Sequence, residues 1–175
     1  KARLVDEEFL GEVENVDIYY DTPEFLYAKG NPEMKLRNRN GHYELKIKRT
    51  KSKGTGVEFN EEIETEPEIL EHLGFSKEDN LDTFVKEKLE VLFSIRTKGR
   101  GYKKSVFIID IDETDFGYNM CEIELMVIDE SQTKEAEEKI IAFAASFGLS
   151  PENLPGKGAE YLRITRPEVY KELYT

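Results

Sequence analysis

The chain has 175 residues, with 25 lysines and arginines against 37 aspartates and glutamates, and its formal net charge is −12. So acidic a chain is poorly suited to general binding of nucleic acid, whose phosphate backbone favours a basic surface. No apolar run approaches the ~20 residues that span a bilayer. We therefore expect neither nucleic acid nor a membrane as a partner.

The length and the cysteine content set two further expectations. A chain of 175 residues is most simply one domain, so we predict a single domain over residues 1–175. The only cysteine, Cys121, cannot form an internal disulfide, and no segment resembles a secretory signal. A reduced thiol is typical of the cytosol, so we expect a cytoplasmic protein. We also expect a monomer.

Segments of alternating apolar and polar residues dominate the chain and predict strands. They lie at residues 14–20, 34–40, 42–49, 57–66, 92–98, 102–112 and 119–128. Apolar residues at helical spacing predict four helices, at residues 67–73, 78–92, 132–147 and 167–174. This order favours an α+β fold of antiparallel strands covered by helices over a series of βαβ units.

The stretch MKLRNRNGHYELKIKR, residues 34–49, concentrates six cations in this acidic chain. Asn40-Gly41 between two alternating runs predicts a hairpin with a two-residue turn. That turn pairs charged side chains on one face and leaves the other face mostly apolar. The predicted cross-strand pairs are Arg39–His42, Arg37–Glu44 and Lys35–Lys46.

Three later strands carry acidic pairs two positions apart, which alternation places on one face of each strand. The pairs are Glu62 with Glu64, Asp110 with Asp112, and Glu122 with Glu124. In a barrel with these charges inside, cations could bind phosphate oxygens while carboxylates held a divalent metal. The ordinary arrangement, with charges in water and the apolar face in a core, has the same period and stays open at this point.

Whether the charged faces lie inside a barrel or in water is indicated by a resemblance that five motifs carry. They are YYDTPE (19–24), MKLRNRNGHYELKIK (34–48), EFNEEIETEP (58–67), IDIDETDFGYNMCEIELMV (109–127) and KGAEYLRITRPEVYKEL (157–173). Their order and spacing resemble the CYTH superfamily, the triphosphate tunnel metalloenzymes, and its thiamine-triphosphatase branch in particular. The resemblance implies a closed antiparallel eight-stranded β-barrel with a charged interior and helices packed outside.

The resemblance also implies roles for individual residues. Cations with catalytic and phosphate-binding roles are expected at Arg37, Arg39, Lys46, Arg96 and Lys157. Lys35 joins the substrate-binding set, and Lys98 or Arg100 stays an alternative to Arg96 because the spacing differs there. Carboxylates that would hold Mg²⁺ (or Mn²⁺) are expected at Glu122, Glu124, Asp110 and Glu62.

Two positions depart from the pattern of that family. Its N-terminal E-x-E-x-K strand is not present, since the place of the lysine after Glu12 and Glu14 is taken by Val16 or Asp17. We interpret residues 14–20 as the second strand and expect the first to be missing from this chain. A tryptophan suited to stacking on thiamine is replaced by Lys35, which favours inorganic tripolyphosphate as the substrate.

The implied activity is metal-dependent hydrolysis of the terminal phosphate of a small-molecule triphosphate, either thiamine triphosphate or inorganic tripolyphosphate. Three alternatives remain. The first is a class IV adenylyl cyclase, which acts on ATP, and the second is a non-catalytic polyphosphate-binding module. The third is a calycin-like barrel that binds an apolar ligand and keeps its charges outside.

Overall fold

The computed structural model describes residues 7–51, 56–149 and 154–175. Within these ranges none of the helices is long and apolar enough to cross a membrane. A short 3₁₀ turn at Glu130–Gln132 precedes the third helix. The strands and helices, in chain order, are β1 (Glu8–Asp21), β2 (Met34–Arg39), β3 (His42–Lys51), β4 (Glu58–Ile63), α1 (Glu66–His72), α2 (Leu81–Lys88), β5 (Glu90–Lys104), β6 (Phe107–Thr114), β7 (Asn119–Leu125), α3 (Thr133–Ser146), α4 (Lys157–Thr165) and α5 (Pro167–Tyr174).

The seven strands of the described residues form one sheet in the order β4-β3-β2-β1-β5-β6-β7. The neighbours β1–β2, β2–β3, β5–β6 and β6–β7 run antiparallel, which confirms the predicted α+β class. The prediction of a closed eight-stranded barrel was wrong for this part of the chain. Closure needs hydrogen bonds that join the two end strands of the sheet, and the strand order ends at β4 and β7.

Packing divides the chain into two compact units. We call residues 15–50, 58–96 and 155–175 the hairpin unit. The described parts of residues 1–14, 51–57 and 97–154 form the carboxylate unit. The single domain predicted from the length stays a prediction.

The β2–β3 hairpin of the hairpin unit confirms the predicted register. Arg37 faces Glu44 and Lys35 faces Lys46. Asn40 and Gly41 have φ values of 51° and 97°, as a turn with two positive φ angles requires. The apolar face, with Leu36, Leu45 and Ile47, belongs to a buried core that includes residues of α1 and α2. The helices therefore cover the apolar face of the hairpin, and its cations lie on the other face.

In the carboxylate unit, too, a strand has one face packed on a helix and charged side chains on the other. Phe107 and Ile109 on β6 are buried, and the ring of Phe107 stacks on Phe143 of α3 with centroids 4.1 Å apart. Because side chains alternate along a strand, Asp110 and Asp112 lie on the face of β6 that is turned away from Phe107 and Ile109. Here too the apolar face packs on a helix and the acids occupy the opposite face.

Several boundaries differ from the predicted ones. The second helix ends at Lys88, and Leu89 already has extended backbone angles, so the apolar residues up to Leu92 belong to the start of β5. One uninterrupted strand runs over residues 90–104, and the following turn holds Ser105 at φ 58°. No glycine, proline or asparagine marks that turn in the sequence, and the predicted strand at 102–112 therefore ran across it.

The strand predicted at residues 14–20 is longer than expected, and one helix was not predicted. β1 begins at Glu8 instead of residue 14. Residues 157–165 form α4, although Gly158 lowers helix propensity near its start. The helices predicted at 67–73, 132–147 and 167–174 are confirmed within one residue at each end.

We predict that Leu36→Ala lowers the free energy of unfolding by about 2 to 5 kcal/mol, because Leu36 is fully buried and truncation leaves a cavity. Chemical denaturation measures this change. The matched control is Leu26→Ala in the same unit, where the side chain is 60% exposed; a shift within about 0.5 kcal/mol is expected. Equal losses in both variants would contradict the assignment of Leu36 to the core.

Candidate active site

Five cations occupy the face of β2 and β3 that is turned away from α1 and α2. We call this set the basic face: Lys35, Arg37, Arg39, Lys46 and Lys48. Tyr19 and Asp17 of β1 lie directly opposite Arg37 and Arg39, so they share this face. Lys48 and Lys46 pair with Glu58 and Glu62 of β4. The site is therefore built from four adjacent strands.

Arg37 and Glu44 form the most enclosed ion pair of the basic face. Arg37 Nη2 donates to Glu44 Oε2 at 2.7 Å, and the two side chains are only 15% and 13% exposed. Burial opposes the charge of Arg37, but Tyr19 and Glu44 outweigh it and raise the pKa of the guanidinium above its ordinary value. Within the described chain, the buried Arg37 Nε has no hydrogen-bond partner. An unsatisfied buried donor costs about 1 to 3 kcal/mol, so an acceptor on a ligand would be stabilised here.

Arg39 is held by two hydrogen bonds to a buried carboxylate. Its Nε and Nη2 donate to the two carboxylate oxygens of Asp17 at 2.6 and 2.9 Å. Asp17 is only 2% exposed. The hydrogen bonds to Asp17 raise the pKa of Arg39 although burial opposes them. Paired bonds of this kind fix the plane of a guanidinium group, so Asp17 sets the orientation of Arg39.

The two lysines that face each other across the hairpin pair with different carboxylates. Lys46 Nζ lies 2.8 Å from Glu62 Oε1, whereas Lys35 Nζ lies 3.1 Å from Glu33 Oε1. Glu33 also pairs with Lys48 at 3.1 Å. Opposed like charges destabilise a strand pair, and these separate counter-ions offset the repulsion.

Glu62, predicted as a metal ligand, lies among cations in this structure. Burial raises its pKa, but the hydrogen bond and charge of Lys46 and the charges of Arg37 and Arg39 together lower it below the ordinary value. Its side chain is 44% exposed. Because exposed ion pairs contribute little stability, the contact between Lys46 and Glu62 is the one that a competing anion would exchange most easily.

An aromatic cluster links α4 to the basic face. The ring of Phe93 on β5 lies 4.5 Å from Tyr19 and 5.6 Å from Tyr161 of α4, measured between centroids. Lys157 begins α4 and precedes Tyr161 by four residues, so the two lie on the same side of the helix. The structure therefore brings Lys157 to the same unit as Arg37, Arg39 and Lys46.

Arg96 is not placed with these cations. Phe93 and Ile95 are buried on one side of β5, and the exposed Arg96 projects from the other side. Phe93 contacts Tyr19, which shares the basic face, so Arg96 lies on the opposite face of the sheet. The two alternatives lie in the carboxylate unit, where Lys98 pairs with Glu14 at 3.1 Å and Arg100 with Glu113 at 2.7 Å.

The other predicted acids gather in the carboxylate unit. Asp110 lies directly opposite Glu122 in the register of β6 and β7, and Glu124 follows on the same face. Asp112 and Asp110 lie over two glycines of β5. A Cβ atom at Gly99 would come within 2.9 Å of Asp112 Oδ1, and one at Gly101 within 3.3 Å of Asp110 Oδ1.

Carboxylate oxygens are the donors that Mg²⁺ prefers, so the chemistry of these side chains suits a divalent metal. Burial and the charges of Glu122, Asp110 and Asp112 together raise the pKa of Cys121. The three carboxylates are therefore close enough to Cys121 to act on its thiol. Over the described ranges, however, no three metal-binding side chains come close enough to form a metal centre. The ligand roles predicted for Glu122, Glu124, Asp110 and Glu62 stay predictions.

Comparison with known proteins identifies the family. A model of the CYTH domain matches residues 2–156. The chain belongs to the CYTH family. It is similar to the thiamine-triphosphatases of Homo sapiens and Macaca fascicularis, with 29% and 28% identity over 175 aligned residues. Each match covers 90% of this chain and 75% of the relative.

Solved structures share the fold. The PH1819 protein from Pyrococcus horikoshii aligns with a TM-score of 0.58 and 19% identity, covering 92% of this chain and 88% of that one. The PH1012 protein of the same organism aligns with a TM-score of 0.57 and 18% identity, covering 85% and 81%. At these identities the likeness concerns the fold alone.

Two residues that contact the arginines of the basic face, Asp17 and Glu44, were not predicted from the sequence as site residues. Asp17 was considered only because it stands near the place of the family lysine, and its pairing with Arg39 depends on the register between β1 and β2. Turn residues do occur between the two strands, at Gly30-Asn31-Pro32, but a connection as long as residues 22–33 does not fix this register. Glu44 did have a signal, because the hairpin register already placed it opposite Arg37, but it was not assigned a role.

We predict that Asp17→Asn lowers the free energy of unfolding by about 1.5 to 3 kcal/mol, because it removes the charge from buried hydrogen bonds to Arg39. Chemical denaturation of the CYTH chain measures the loss. Glu71→Gln is the matched control, since Glu71 and Lys77 form an exposed pair at 2.8 Å and such pairs contribute little. If Asp17→Asn were as mild as the control, Asp17 would not anchor Arg39.

Proposed function

We propose that this CYTH protein hydrolyses the terminal phosphate of a triphosphate, with inorganic tripolyphosphate preferred over thiamine triphosphate. The observation that carries the proposal is Arg37, whose side chain is 15% exposed and whose buried Nε donor has no partner in the described chain. It lies among four further cations. The similarity to proteins named thiamine-triphosphatase supports the same substrate class.

The carboxylates of the basic face fall into two groups with different effects on a ligand. Asp17 is buried and Glu44 is only 13% exposed, and they hold Arg39 and Arg37 by short hydrogen bonds. Glu62 is half exposed and pairs with Lys46. Buried partners are costly to remove and exposed pairs contribute little. A triphosphate would therefore displace Glu62 and leave the two arginines in their fixed orientation.

The cations would stabilise the transition state for attack by water. Phosphoryl transfer builds negative charge on oxygens around the transferred group, and preorganised donors that meet this charge lower the barrier. Arg37 and Arg39 supply oriented guanidinium donors, and Lys46 and Lys157 supply mobile ammonium groups. Lys157 occupies the first position of α4, where the helix dipole disfavours a cation; a bound anion would offset this cost. A nearby carboxylate would orient the attacking water.

The family implies Mg²⁺ or Mn²⁺, and we propose that activity requires one of them. Such an ion, if bound, would neutralise phosphate oxygens and lower the pKa of water. Among the described residues, no cluster of His, Cys, Asp or Glu side chains forms a site for this ion.

The preference for tripolyphosphate rests on Lys35. This residue lies at the β2 position before Leu36 and Arg37, pairs with Glu33, and faces Lys46 across the hairpin. The chain contains no tryptophan that could stack on an organic group there. An ammonium group at this position adds charge that any triphosphate can use, and it offers no aromatic surface for a thiazole or pyrimidine ring.

A phosphate-release panel tests this function. The protein is given tripolyphosphate, thiamine triphosphate or ATP, each with Mg²⁺, Mn²⁺ or EDTA. We predict the fastest release from tripolyphosphate, and loss of release in EDTA. Release of pyrophosphate from ATP would favour the cyclase alternative. Inactivity on all three substrates would remove the enzyme proposal; a rise of the thermal midpoint with tripolyphosphate would then indicate a binding module.

A single-residue test uses Lys46, because removing Arg39 would leave the buried Asp17 without its counter-ion. We predict that Lys46→Met lowers kcat/KM about 100-fold, the order expected for one lost charge-assisted contact in a transition state. The matched control is Arg49→Met on the same strand, whose side chain lies on the opposite face and pairs with Glu61 at 2.7 Å. Similar activity of both variants would exclude Lys46 from the site.

A further inference from the structure

Helix α4 approaches the sheet more closely at Gly158 than any side chain would allow. A Cβ atom built at Gly158 would lie 2.5 Å from Cζ of Phe93 and 3.2 Å from its Cε2. The Phe93 ring is only 8% exposed and lies between Tyr19 and Tyr161. It has little room to move aside, so residue 158 must be glycine for the helix to lie where it does.

The backbone gives no other reason for this glycine. Gly158 lies inside α4 and does not adopt a positive φ angle. Glycine within a helix is less favourable than alanine. Its presence is therefore explained by the close approach to Phe93 and not by the conformation of the chain.

The contact lies between two parts of the proposed site. On one side, Lys157 directly precedes Gly158 and starts the helix. On the other side, Phe93 packs on Tyr19, which lies opposite Arg37 in the strand register. The distance between α4 and the strands therefore sets how far the Lys157 ammonium lies from a phosphate bound at Arg37.

We propose that the packing of Gly158 on Phe93 positions Lys157 for the bound triphosphate. The inference rests on the proposed function and adds two positioning residues, neither of which touches substrate. A methyl group at position 158 would push the first turn of α4 away from Phe93 and carry Lys157 with it. Displacements of about 1 Å in a site can lower rates by as much as about 100-fold.

The experiment is a set of variants that separates positioning from general stability. Tripolyphosphate hydrolysis and the thermal midpoint are measured for the unchanged protein, Gly158→Ala, Phe93→Leu and the double variant. We expect Gly158→Ala to lower kcat/KM about 10- to 100-fold, although alanine favours a helix. Phe93→Leu removes the Cζ atom that the methyl group would strike, so the double variant should recover most of the loss. No recovery in a folded double variant would overturn the inference.

A second double-mutant cycle tests whether the loss of activity in Gly158→Ala depends on Lys157. Lys157→Met is combined with Gly158→Ala, and the losses are compared with those of the single variants. Positioning of Lys157 predicts that Gly158→Ala causes little further loss once the ammonium is gone. Losses that multiply would indicate a general structural effect and overturn the inference. Unchanged activity in Gly158→Ala or in Lys157→Met would also overturn it, while the proposed function of the other cations would stand.

A binding measurement keeps the two proposals distinguishable. Tripolyphosphate raises the thermal midpoint of a protein that binds it in the folded state. The same variants are compared by this shift, so the position of Lys157 is tested even if no phosphate is released. Absence of hydrolysis, together with a shift that Gly158→Ala weakens and the double variant recovers, would remove the enzyme proposal and retain the positioning of Lys157.

Discussion

Burial of Leu36 and Leu45 beneath α1 and α2 fixes the direction in which the hairpin faces. Both side chains are fully buried, and they lie opposite each other in the register of β2 and β3. Because side chains alternate, a slip of one residue would bring charged side chains into this core. The apolar face is therefore the constraint that gathers the cations on the other face, whatever ligand they bind. The position of the basic face thus follows from packing, independently of the ligand proposed for it.

Gathering cations in this way creates repulsion that the structure must offset. Each described cation of the basic face has a carboxylate partner, and the partners differ in burial. The carboxylates of Asp17 and Glu44 are largely shielded from solvent and orient Arg39 and Arg37, whereas Glu62 is half exposed beside Lys46. The guanidinium groups are thus held by the more enclosed contacts, and the ammonium group of Lys46 is held by the more exposed one. Such a difference would allow a face with balanced charges to bind the proposed phosphate.

The hairpin and its charge pairs were predictable because their information is local. Asn40-Gly41 fixes the turn, the turn fixes the register, and the register places Arg37 opposite Glu44. The pairing of Asp17 with Arg39 depends on two strands separated by residues 22–33, and no local pattern determines it. Resemblance gave Arg96 an inward position, whereas burial of its neighbours in β5 places it on the other face. Eight closed strands were expected by the same resemblance, and the described sheet has seven and two ends.

Close packing at glycines is a further feature of the fold that hydrophobic periodicity does not predict. A hydrophobic pattern shows which residues turn towards a core, but it gives no sign of where two elements approach closely. Gly158 admits Phe93 against α4, and in the other unit Gly99 admits the carboxylate of Asp112. In the sequence both glycines weaken the pattern of their element, and α4 was missed partly for this reason. Gly158 and Gly99 thus lower the local propensity of their elements and at the same time permit close packing, because only a position without a side chain allows such an approach.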